Sequence, residues 1–191
     1  MTDFFFKKSP IVTTVGTGVG AALFFVVGRF VSIPSPIPNT SISLQYAVLA
    51  LFAVLYGPLA GFLIGIVGHY LIDISSFGAW WSWILSSAVF GLVLGLLTLK
   101  LKLDKDNFKV QSIAWFIVAL VATNGLCWIL IAPTLDVLIY AEPANKVFVQ
   151  GLTSFSANTV TSIIVGTILA VAYAKTVTSS NSLTESVDDE E

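Results

Sequence analysis

Charge is what this sequence has least of: charged residues make up 10% of its 191 positions, where a soluble domain carries about a quarter. With 56% hydrophobic residues and a mean hydropathy of +0.91, that scarcity excludes water as the main solvent and points to one polytopic membrane domain. Cysteine and histidine each occur once, as Cys127 and His69. A lone cysteine excludes an intramolecular disulfide, and one histidine beside one carboxylate is too few ligands for a convincing metal site. No G-x-x-x-x-G-K-[ST] run occurs, so the chain has no ATP site of that type, and energy for any transport must come from a partner or a gradient. A G-x-S-x-G elbow and paired acids on one face are also missing, which leaves no catalytic set. The bases are scattered rather than striped, which argues against nucleic acid. The start shows no small-residue cleavage site after a short apolar core, so it does not read as a cleavable signal peptide.

What is present is apolar bulk, with fourteen Phe, five Trp and five Tyr; the Trp and Tyr can also mark lipid–water interfaces. Five of the eleven acids, Glu185, Asp188, Asp189, Glu190 and Glu191, crowd the last seven residues. The formal charge of −2 is therefore a basic body, residues 1–175, with an acidic tail. Residues 176–191, rich in Ser, Thr and acids, are expected to be a disordered cytoplasmic tail.

A spanning helix needs about 20 mostly apolar residues, because lipid leaves no partner for irregular backbone. The apolar runs predict six helices at 11–32, 42–56, 58–74, 79–100, 111–133 and 147–175, an all-α bundle. Lys7, Lys8, Lys100, Lys102, Lys105, Lys109 and Lys175 fall on one side of it, and Arg29 and Lys146 on the other. Since basic loops stay in the cytoplasm, both termini are predicted inside. The outside then receives the proline-rich loop Ile33–Asn39, the tryptophan-loaded segment Ser75–Trp81, and a loop over 133–146.

Polar and small residues recur at helical spacing. Gly16, Gly18 and Ala21 fit the letters G-x-G-x-x-A, but they sit inside a predicted span rather than after a strand, so nucleotide binding is not indicated. Gly16 with Gly20, and Gly18 with Ala22, are small-x-x-x-small pairs suited to close helix approach, either inside the bundle or with a separate membrane subunit. On the third helix Gly61, Gly65, His69 and Asp73 stack along one face, bare in its first half and polar in its second. His69 and Asp73 can pair with each other or contact a ligand. On the sixth helix Gln150, Ser154, Asn158 and Ser162 form a second stripe, which puts Asn158 about 15 Å below the outer surface. Ser154 and Ser162 are read as interhelical glue. Asn158, with a full donor–acceptor amide, is read as a ligand contact, and Asn124 at comparable depth invites the same argument. With Trp80 and Trp83 at the outer end of the fourth helix, these groups would form an aromatic pocket with a few convergent amides, while Trp81 anchors in the interface.

The segments Ile37-Pro38-Asn39-Thr40, Tyr46-Ala47-Val48-Leu49, Tyr56-Gly57-Pro58-Leu59-Ala60-Gly61, Gly65-Ile66-Val67-Gly68-His69 and Trp80-Trp81-Ser82-Trp83 together carry a resemblance. In their order the chain resembles, over about residues 10–175, the substrate-binding S components of energy-coupling factor (ECF) vitamin transporters. The likeness is to the uncharacterised-family branch related to hydroxymethylpyrimidine carriers. The resemblance implies a six-helix bundle that binds its vitamin at the outer face under a loop lid. It further implies a complex with a membrane coupling subunit and two ATP-binding subunits. It places Gly18 and Ala22 where the family carries an Ala-x-x-x-Ala-like docking motif, and it favours Asn124 and Asn158 among pocket residues, with Asn39 in the lid loop.

The reading is of a bacterial multi-pass cell-membrane protein, without cofactor, that captures a small heteroaromatic vitamin or precursor, hydroxymethylpyrimidine or pyridoxine-like. Its substrate-binding candidates are Asn39, His69, Trp80, Trp83, Asn124 and Asn158. Two other readings stay open: an intramembrane enzyme using His69 and Asp73, and a structural subunit without ligand.

Overall fold

The computed structural model describes residues 7–38 and 40–177. Its helices are α1 Pro10–Phe30, α2 Gln45–Tyr56, α3 Pro58–Ile74, α4 Trp81–Leu97, α5 Val110–Tyr140 and α6 Ala144–Thr176. Asn39 and the acidic end of the chain, 178–191, lie outside the described residues. By length and apolar composition α1, α5 and α6 are each sufficient to cross a membrane, and α2, α3 and α4 are shorter apolar helices.

Three sequence expectations need correction. The loop after α1 is not irregular throughout: β1 Ser32–Pro34 pairs antiparallel with β2 Ser41–Ser43, with Ile33 opposite Ile42. Proline-rich sequence hid a hairpin whose paired Ile side chains suit strands. The helix expected to stop at 133 runs on to Tyr140. Proline lacks an N–H and crowds the carbonyl four residues back; here the turn widens to a π-helix over Gly125–Ile131, just before Pro133, and the helix continues past it. The last helix accordingly starts at Ala144 rather than 147.

Packing follows the small residues. A buried α2, with Ala47, Leu49, Ala50 and Ala53 fully enclosed, lies at the centre. Gly57, at φ 97°, joins α2 to α3 in a backbone conformation that a side chain would strain, and Pro58 opens α3 where its missing N–H is harmless. Along the seam between α3 and α4, Gly61 meets the backbone of Gly91, Gly65 meets that of Ser87, and Gly95 meets that of Pro58. Apolar chains gain nothing from leaving lipid for one another, so dispersion across such close approaches holds helices together. The two small-residue pairs on α1 divide. Gly16 and Gly20 face inward, against Tyr56 and Phe52, whereas Gly18 and Ala22 are exposed, with nothing within 4 Å of a Cβ built on Gly18.

Candidate functional site

One end of the bundle gathers the β-hairpin, the α3–α4 connection and the α5–α6 turn around a cavity of about 410 Å³, a size within the range of small-molecule sites. Thr40, Ser41 and Ser43 contribute from the hairpin, Gln45 and Tyr46 from the start of α2, and His69 and Asp73 from the last turns of α3. Phe77, Trp80 and Trp83 line it from the next connection and α4, Asp136 from α5, and Lys146, Gln150, Ser154 and Asn158 from α6. Four of the residues singled out in the sequence, His69, Trp80, Trp83 and Asn158, thus face one space.

The aromatic wall is held by a residue that the sequence reading assigned to a loop. Asp136 accepts hydrogen bonds from Trp80 Nε1 at 2.6 Å and Trp83 Nε1 at 2.7 Å, and from the Ser82 hydroxyl. Trp80 stacks on Tyr140, with centroids 4.3 Å apart, and Trp83 stacks on Trp128 at 5.8 Å. Both indoles are therefore held by a hydrogen bond at the ring N–H and by stacking on a neighbouring ring. The signal for Asp136 was present: a lone acid in Pro133-Thr134-Leu135-Asp136-Val137-Leu138-Ile139 is costly in an apolar helix unless it is partnered. Trp81, taken as an interface anchor, is exposed, and its N–H bonds Tyr140 Oη at 2.9 Å.

Behind the cavity a polar chain crosses three helices. Tyr46 Oη lies 2.9 Å from Ser87 Oγ, and Ser87 Oγ lies 2.5 Å from His69 Nδ1. His69 Nε2 is 3.5 Å from Asp73 Oδ1, while Asp73 Oδ2 accepts the Trp80 N–H at 3.0 Å. His69 and Asp73 therefore pair loosely and also line the cavity. With Asp73 they bring no third His, Cys, Asp or Glu within metal-holding distance among the described residues.

The amides divide. Asn124 is buried away from the cavity; it accepts from Trp128 Nε1 at 2.9 Å and donates to the Leu120 carbonyl at 2.8 Å. It steadies the indole behind Trp83 rather than facing the cavity. Gln150 donates to the Pro38 carbonyl at 2.9 Å and ties the hairpin loop to α6. Asn158 is 5% exposed, lines the cavity, and its amide makes no hydrogen bond among the described residues. Buried amides are ordinarily paired; this one opens on the cavity instead. Ser162, on the same stripe, is fully buried, and its hydroxyl has no partner among the described residues.

Comparison with known proteins agrees with this architecture. A family model described as ECF-type riboflavin transporter, S component, matches residues 8–175. A UPF0397 protein of Streptococcus gordonii is 50% identical over 184 residues, covering 96% of this chain and 98% of that one. Another from Clostridium perfringens is 50% identical over 171 residues, covering 89% and 92%, and one from Lactococcus lactis subsp. cremoris is 48% identical over 178 residues, covering 93% and 98%. Among solved structures, FolT bound with folic acid superposes with a TM-score of 0.59 at 16% identity, over 82% of this chain and 95% of that one, a likeness of fold. The chain belongs to the ECF-type riboflavin transporter S component family, whose members are membrane transporter subunits rather than enzymes.

Proposed function

We propose that the cavity at the hairpin end captures a small heteroaromatic vitamin or precursor from outside the cell, for import with a coupling subunit and two ATP-binding subunits. The observation that carries this reading is Asn158, a 5% exposed residue whose amide has no hydrogen-bond partner among the described residues and which lines a cavity walled by two hydrogen-bonded indoles. A flat ring stacked between indoles, with its edge hydrogen-bonded to an amide, is the chemistry such a wall supports. The sequence resemblance favours hydroxymethylpyrimidine or a pyridoxine-like ring, and the family's description adds riboflavin.

Lysine asymmetry supports an orientation with both termini inside and the hairpin end outside. On that orientation a cysteine replacing Ser76 is labelled in intact cells and one replacing Lys105 is not; the reverse pattern overturns it. Gly18 and Ala22, exposed on α1, are the proposed contact with the coupling subunit, since close backbone approach drives association in lipid. Ala22→Trp should abolish copurification with the ATP-binding subunits and spare ligand binding.

Calorimetric titration of the purified chain with hydroxymethylpyrimidine, pyridoxine and riboflavin tests the binding reading directly. One of these rings should bind, and Trp83→Ala should weaken it by about 1 kcal/mol or more. Binding of none of them, with no small molecule retained through purification, overturns the proposal.

A further inference from the structure

Building on the vitamin-binding reading, we infer that the cavity selects a ring that presents an N–H or amine donor to Asp73 and carries no anionic group. Three carboxylates line the space, Asp73, Asp136 and Glu142, against two basic side chains, His69 and Lys146. All nine Lys and Arg residues and the single His lie among the described residues, so this inventory of cavity bases omits none.

The three carboxylates are not equivalent. Glu142 is paired with Lys146 at 2.6 Å, which also occupies the one lysine an anionic ligand could use. Asp136 is engaged by two indole N–H groups and a hydroxyl. A carboxylate accepts about four hydrogen bonds, and Asp73, 2% exposed, receives one good one, from the Trp80 N–H at 3.0 Å. Its other contact, His69 Nε2 at 3.5 Å, is longer than a normal hydrogen bond. In the tautomer in which Ser87 donates to Nδ1, the Nε2–H of His69 faces Asp73. The chain from Tyr46 through Ser87 and His69 then ends on Asp73 as an acceptor, with capacity left on the cavity side.

A phosphate or carboxylate in this space would meet three carboxylates and, as its one lysine, a Lys146 already paired with Glu142, whereas a ring amine or N–H would complete Asp73. The neighbouring indole faces favour such a ring further, most of all if it is protonated. The fold itself dictates no ligand charge; these side chains do.

Equilibrium binding to the purified full chain tests the inference with matched pairs: hydroxymethylpyrimidine and its phosphate, pyridoxine and its 5′-phosphate, riboflavin and its 5′-phosphate. For every parent that binds, the phosphate ester should bind about tenfold or more weakly, the order expected for uncompensated like charge. The 4-desamino analogue of the aminopyrimidine, with hydrogen in place of the amine donor, should also bind less tightly than the amine. Asp73→Asn should shrink the phosphate penalty severalfold, which separates charge from bulk. If that variant does not fold, Lys146→Gln replaces it and should enlarge the penalty. A phosphate ester that binds as tightly as its parent, or an anionic molecule retained through purification, overturns this inference and leaves vitamin binding standing. Binding of none of the parents, with nothing retained, overturns both.

Discussion

The two halves of the α3 face differ as sharply as any two regions of the molecule, although they lie on one stripe of four-residue spacing. Gly61 and Gly65 sit in a dry seam where α3 and α4 touch backbone to backbone. His69 and Asp73, one and two turns on, open into the cavity. In the first half every contact is already made and any added atom collides. In the second half polar capacity is left over, on Asp73 and across the cavity on Asn158. A membrane bundle can hold such unpaired groups only where the rest of its packing is rigid, since each is a standing cost.

The strongest way to break this comparison is at the seam. A Cβ at Gly91 would strike the Gly61 carbonyl, and backbone cannot yield as a flexible side chain does. Gly91→Ala should lower stability by about 3 kcal/mol, at the upper end for overpacking, seen as a large drop in the thermal midpoint in detergent. Gly18→Ala, on the open face of α1, should be neutral or stabilise by up to about 1 kcal/mol. Equal effects at the two glycines would show that the seam is not rigid.

Asp136 lies between the two regimes, because it is a polar group on the cavity wall that already accepts three hydrogen bonds. Asp136→Ala leaves the indole N–H groups of Trp80 and Trp83 unpaired and should cost about 1–3 kcal/mol in the ligand-free thermal midpoint, together with ligand affinity. Asn158→Ala should behave oppositely. With no side-chain bond to lose among the described residues, its midpoint should stay put, while binding weakens by about 1 kcal/mol. A destabilised ligand-free Asn158→Ala protein would mean that the amide has an internal role and that the cavity half is not held open for a ligand.

A separate test lies at the far end of the α3–α4 pair. There Lys7 Nζ donates to the carbonyls of Thr98 at 2.6 Å and Leu101 at 3.0 Å, just beyond α4. Burial, and after it the neighbouring Lys8, pushes the Lys7 ammonium down to about 8 from its ordinary 10.5. Between those values the unfolded chain binds more protons than the folded one, so stability should rise with pH over that window. A thermal-midpoint series from pH 8 to 10.5 should show a rise that Lys7→Met flattens.

Much of this was legible because helical periodicity is local. Residues four apart share a face in any α-helix, so His69 with Asp73, and Gln150 with Ser154 and Asn158, could be grouped before any fold was known, and the order of six helices followed from apolar runs. Asn124 shows the limit. Its depth was comparable to that of Asn158, but whether an amide faces a cavity or a neighbouring indole depends on how its helix is rotated. Trp128, four residues on, takes its oxygen. Asp136 was missed for a related reason: Pro133 reads as a helix end, and only the π-turn before it lets the helix carry that acid onto the cavity.

What the sequence determined by itself was therefore solvent, helix order and the composition of each helix face, since hydropathy and 3.6-residue periodicity need no knowledge of neighbours. Tertiary structure alone decided which face met which. It set Asp136 against tryptophans 53 and 56 residues earlier and turned Gly16 inward while Gly18 stayed exposed. It also turned Asn158 to the cavity and Asn124 to Trp128, because helix rotation and crossing are fixed by the summed fit of small and large side chains across the bundle.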